Sequence, residues 1–98
     1  MALPLIAHVP LLVFENAPAS IVYSTVNKVW AYLNKLYGKE AVVSVRKVRI
    51  NHGDGYWEEQ FLVRFRSWGG AIICLRAELY WPGSTTRIQK FVEFNRQA

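Results

Sequence analysis

The stretch from Glu59 to Leu79, EQFLVRFRSWGGAIICLRAEL, constrains the fold more than any other part of the chain. It reads as two alternating runs joined at Gly69-Gly70. In a strand, successive side chains point to opposite faces. In the first run Phe61, Val63 and Phe65 share one face, and Leu62, Arg64, Arg66 and Trp68 share the other. Continued past the glycines, the alternation puts Ala71, Ile73, Leu75, Ala77 and Leu79 on the apolar face. Ile72, Cys74, Arg76, Glu78 and Tyr80 fall on the mixed one. The reading is a hairpin with one core face and one face where arginines alternate with aromatic and aliphatic groups.

The rest of the chain supplies partners for that hairpin. Val9 to Phe14 reads as an edge strand, because Pro4 and Pro10 remove ladder donors nearby. Asn16 to Ser20 carries helix-start chemistry, with Asn16 or Ser20 as cap and Pro18 in the first turn. Val22, Val26, Val29, Leu33 and Leu36 then recur at helical spacing, and Gly38 suits the position past the helix end. One amphipathic helix is expected over residues 18–37. Strands are expected over 41–50, 56–67, 71–81 and 85–94. A bend or bulge is expected near Arg46-Lys47, and turns at Asn51 to Gly55 and at Trp81-Pro-Gly-Ser84. The expected architecture is α+β: a two-layer single domain over residues 1–98. In it one helix, 18–37, packs on a four- to five-stranded antiparallel meander whose N-terminal edge strand is 9–14.

Composition narrows the function classes. Of 98 residues 52% are hydrophobic and 14% aromatic, so a folded core is expected rather than disorder. The net charge of +5 favours polyanionic partners. A single cysteine, Cys74, excludes an internal disulfide framework and fits a reducing cytoplasm. No apolar stretch reaches the length of a membrane span, and the apolar N-terminus lacks the basic leader of a signal peptide. No membrane partner is expected.

One helix covers one face of a meander. The mixed face then keeps Leu62, Arg64, Arg66, Trp68, Ile72, Arg76, Tyr80, Arg87 and Phe91 without a covering layer. Trp57 stands at a strand end, and Arg46, Lys47 and Arg49 form a basic cluster. Single-stranded nucleic acid suits such a mixture, because cations follow phosphates while flat side chains stack on unpaired bases. The same composition suits a homodimer or protein-partner interface, and a small-ligand cleft remains a further alternative.

The single helix, the antiparallel strands after it and the run Leu62-Val-Arg64-Phe-Arg66-Ser-Trp68 resemble the ThermoDBP-type archaeal single-stranded DNA-binding proteins. That resemblance covers the layout from Pro18 to Phe94. It implies a fold other than the OB barrel, a hydrophobic cleft with a basic rim, an archaeal source and DNA rather than RNA as the strand. Some members of that family dimerise through a C-terminal leucine zipper. The residues up to Ala98 show no heptads, so that route is not expected here.

Enzyme chemistry finds little purchase. His52 and Asp54 share a turn, His8 stands alone, and Cys74 lies in an apolar run. No phosphate loop, nucleophile–base order or metal-ligand spacing is present. Neither catalysis, a metal nor a cofactor is expected.

Overall fold

A computed structural model describes residues 9–18 and 26–93. The described elements run β1 (Leu11–Glu15), α1 (Val26–Tyr37), β2 (Val42–Asn51), β3 (Trp57–Phe65), α2 (Trp68–Arg76) and β4 (Gln89–Val92). The four strands form one antiparallel sheet in the order β2-β3-β1-β4. The architecture is α+β, as the sequence suggests, with two described helices instead of one.

The first strand is central, not an edge. Pro10 precedes it, so no ladder donor is lost, and the Pro10 carbonyl accepts from Phe65 N at 2.8 Å. Leu12 and Phe14 enter the core, and Val13, on the opposite face, is also only 1% exposed. A short apolar run buried on both sides belongs inside a sheet. The sheet is therefore not a simple meander: β1 lies between β3 and β4, and only β2 and β3 form a hairpin.

The second correction is α2. The expected strand over 71–81 is instead a helix, Trp68–Arg76, followed by irregular chain. Ser67 is its N-cap in extended conformation, and Ser67 Oγ accepts from Gly70 N at 3.3 Å. Ala71 and Cys74, one helical turn apart, are buried. The AIIC run has no polar interruption, so periods of two and of 3.6 fit it equally well. The expected last strand shortens to Gln89–Val92, preceded by the isolated bridge Tyr80↔Arg87. The two turns fall where expected. Gly53, Asp54 and Gly55 all have positive φ, and Gly83, also positive, closes the Pro-Gly turn with Ser84 N bonding Trp81 O.

Both helices contribute to one core. Val29 and Leu33 of α1, and Ala71 and Cys74 of α2, meet Leu12, Phe14, Phe61, Val63 and Phe65. That confirms Phe61, Val63 and Phe65 as the core face. Helix α1 begins among the described residues at Val26, and the expected first turns from 19 to 25 lie outside them, as do His8 and the tail from 94. Asn16 is not a helix cap. With φ at 63°, it bridges chain ends: Oδ1 accepts from Trp81 Nε1 (3.3 Å) and from Gln89 N (3.0 Å), and Nδ2 donates to Arg87 O (2.7 Å).

A β-bulge in β2 sets which residues reach which face. Val42 pairs with Phe65 and Ser44 with Arg64, so Val43 is the extra residue. The bulge lies a few residues before the expected site at Arg46-Lys47. Without it, pairing from Val42 would set Arg46 opposite Phe61, on the core side. With it, Val45 meets Val63 in the core and Arg46 meets Leu62 on the other face.

Candidate nucleic-acid interface

Directly opposed residues of an antiparallel pair share a face, so the registers define the surface away from the helices row by row. The first row is Ser44, Arg64 and Leu11. The second is Arg46, Leu62, Val13 and Phe91. Below them Val48 opposes Gln60, whose Nε2 donates to Glu15 Oε2 at 2.6 Å, and Ile50 opposes Glu58. Among the described residues no helix contributes to a layer on this face, but Val13 in the middle of its second row is only 1% exposed. The face is therefore accessible at the Arg46–Arg64 end and at Phe91 rather than throughout.

The charge on this face is divided. Arg46 and Arg64 stand together at one end, and Glu15 and Glu58 at the other. Glu58 Oε1 is 2.8 Å from His52 Nε2. Neither Arg46 nor Arg64 has a hydrogen-bonding or ion-pairing side chain among the described residues. Together with Val9, Leu11, Ser44 and Leu62 they line a cavity of about 310 Å³. Phe91, 43% exposed, stands at the far edge of the second row. Four strands at about 4.8 Å spacing put it roughly 14 Å from Arg46 across the sheet.

The other expected site residues fall elsewhere. Lys47 and Arg49 have the opposite parity to Arg46 and face the helix side of the hairpin. Each lies 3.8 Å from the Glu59 carboxylate, and the Arg49 guanidinium carbon is 4.8 Å from the centre of the Trp57 ring. Arg66 lies just past β3 and is committed to Glu40: Nε donates to the Glu40 carbonyl (3.0 Å) and Nη2 to Glu40 Oε1 (3.3 Å). Trp68 and Arg76 leave the sheet face altogether, because they belong to α2. Trp68 opens the helix half-buried against the core, and Arg76 sits in its last turn, where a cation suits the helix dipole.

Tyr80 and Arg87 remain together. Arg87 has the parity of Gln89 and Phe91 beyond the start of β4, and pairs with Tyr80. Tyr80 Oη donates to Glu78 Oε2 at 2.7 Å, and this bond to a carboxylate raises the phenol pKa. The four tryptophans do not occupy the open rows. Trp81 is buried, Trp30 Nε1 donates to Val42 O (3.1 Å), Trp57 lies against Arg49, and Trp68 is in α2.

Of the eleven residues singled out by sequence, Arg46, Arg64 and Phe91 share the open rows, with Arg87 and Tyr80 beyond the start of β4. Leu11 and Val13, which complete those rows, escaped notice because β1 reads as an edge. Their signal is the unbroken run LLVF. Among the described residues no group of three or more His, Cys, Asp or Glu side chains is placed to hold a metal ion, and no helix is long and apolar enough to cross a membrane. No protein-family model, curated protein or solved structure matches the chain.

Proposed function

We propose that the open sheet face binds single-stranded nucleic acid with little sequence preference. The observation that carries this reading is the pairing of two arginines that lack acidic partners among the described residues, Arg46 and Arg64, with an apolar strip that ends in exposed Phe91. Guanidinium groups contact phosphates and stack on bases, and an aromatic ring stacks on any base. The accessible parts of that face are the arginine end with Leu62 and, across the buried Val13, the Phe91 edge, so a strand lies over Leu62 with its phosphates toward the arginine end. The ThermoDBP-type resemblance adds DNA over RNA.

Duplex bases hide their faces in the stack, and α1 offers no basic face for a major groove. Single strands are therefore preferred. The test is fluorescence anisotropy of end-labelled oligonucleotides of about ten residues, as DNA, RNA and duplex in matched salt. Saturable binding of single strands, weaker for duplex and lost in Arg46→Gln/Arg64→Gln, supports the reading. Absence of binding together with a concentration-dependent mass in sedimentation would assign the face to a homodimer or protein partner instead.

A further inference from the structure

Arg46 and Arg64 are not merely two cations on one face. Arg46 opposes Leu62, and Arg64 opposes Ser44. The two arginines are thus diagonal neighbours on adjacent strands, a relation in which side chains of this length reach a common point. Ser44 stands directly opposite Arg64 and two residues before Arg46, and the bulge at Val42/Ser44 puts both Ser44 and Arg46 on the face of Arg64. All three line the same cavity of about 310 Å³, together with Val9, Leu11 and Leu62. Arg49, Lys47 and Arg66 on the neighbouring surface each have a carboxylate within 4 Å. The diagonal pair has none among the described residues. Glu93, just past β4, donates its N–H to Leu11 O and so ends the first row, with the β1 strand between it and Arg64.

We propose that Arg46, Arg64 and Ser44 form a pocket for a phosphomonoester, the terminal phosphate of a nucleic-acid strand. This rests on the strand-binding reading above and sharpens it. A phosphomonoester carries about −1.5 to −2 charges at neutral pH, whereas each backbone diester carries one. Two guanidinium groups therefore match a terminal phosphate better than an internal one. Their forked donors bind its oxygens in pairs, and the serine hydroxyl supplies a further donor. The cavity is at the small end of ligand sites, so it holds a phosphate and part of its sugar, not a length of chain. The strand leaves the pocket over Leu62 toward Phe91.

The experiment compares oligothymidylates of about ten residues that carry a phosphate at one end, at the other end, or at neither, using the full chain. A parallel calorimetric arm uses thymidine monophosphate against thymidine. One terminal phosphate should tighten binding about tenfold, the scale of a charge-assisted hydrogen bond. Arg64→Gln and Arg46→Gln should each bring that ratio close to one. Ser44→Ala should reduce it, and Arg49→Gln, off the face, should preserve it. Each variant's fold is checked by circular dichroism. Equal binding of phosphorylated and unphosphorylated strands overturns the inference and leaves strand binding standing. Binding of the monophosphate, sensitive to Arg64→Gln, without binding of any oligonucleotide keeps the pocket and overturns the strand as its source. Binding of neither overturns both.

Discussion

Asn16 holds the Trp81 indole: its side-chain oxygen accepts from Nε1 at 3.3 Å while also accepting from Gln89 N at 3.0 Å. One amide at the end of β1 thus ties the irregular chain after α2 to the start of β4. The residue has φ of 63°, a region in which Asn is favoured over most side chains. Asn16→Ala removes three hydrogen bonds and leaves the indole N–H of a buried tryptophan unpaired. It should cost about 2–4 kcal/mol, measured by urea denaturation. Asn16→Asp keeps the acceptor, loses only the donor to Arg87 O, and should cost less.

The two sheet faces should respond oppositely to truncation. Phe65 is buried in the core beside Tyr37, so Phe65→Ala should destabilise by about 3–5 kcal/mol. Arg64→Gln, one residue away on the open face, should change stability by less than ~0.5 kcal/mol. Comparable losses from both would mean that the faces are wrongly assigned.

Salt dependence counts the arginines in use. Each phosphate neutralised on a single strand contributes a slope of about −0.7 in log affinity against log salt. On a strand without a terminal phosphate, with Arg46 and Arg64 each contacting one backbone phosphate, wild type should give about −1.4, and either single Gln variant about −0.7. Engagement of Arg49 or Arg66 would steepen the slope, but both are held by carboxylates. Anisotropy titrations over a salt series decide between these outcomes.

Burial raises the Cys74 thiol to about 11, partly offset by its hydrogen bond with Tyr37 and by Lys90. The folded state therefore holds this proton where an unfolded thiol, with its ordinary value near 9, releases it. Between those values the folded chain binds more protons than the unfolded one, so stability falls as pH rises. The contribution is fully present below about pH 9 and is lost toward pH 11, a change on the order of 2–3 kcal/mol. Denaturation midpoints at alkaline pH should show this loss, and Cys74→Ala should flatten it. At neutral pH the thiol should resist alkylation until the protein opens.

The sequence made the core face of β3 legible because Phe61, Val63 and Phe65 alternate with Gln60, Leu62, Arg64 and Arg66, of which only Leu62 is apolar. It also displayed the Asp-Gly and Pro-Gly turns, whose φ requirements are local. It hid α2, because six residues from Ala71 to Arg76 contain a single charge and so mark no period. The candidate site was half visible. Arg64 follows from simple alternation within β3, but Arg46 reaches the same face only through the bulge at Val43, a property of pairing rather than of composition. Arg76 and Trp68 were misplaced with the helix they belong to.

The strand order also bears on how the chain must be made. In β2-β3-β1-β4, the first described strand pairs only with segments that follow it at a distance. During ribosomal synthesis LLVFE emerges roughly 50 residues before Phe61, a wait on the order of 3–10 s at ordinary elongation rates. Through that interval β1 stays apolar and without its sheet partners, and the β2–β3 hairpin closes locally only as β3 itself emerges. Assembly of the sheet is then the insertion of an early segment into a gap completed by late ones, a high-contact-order step expected to be slow. The exposed strand is also the part of the nascent chain most apt to recruit a chaperone.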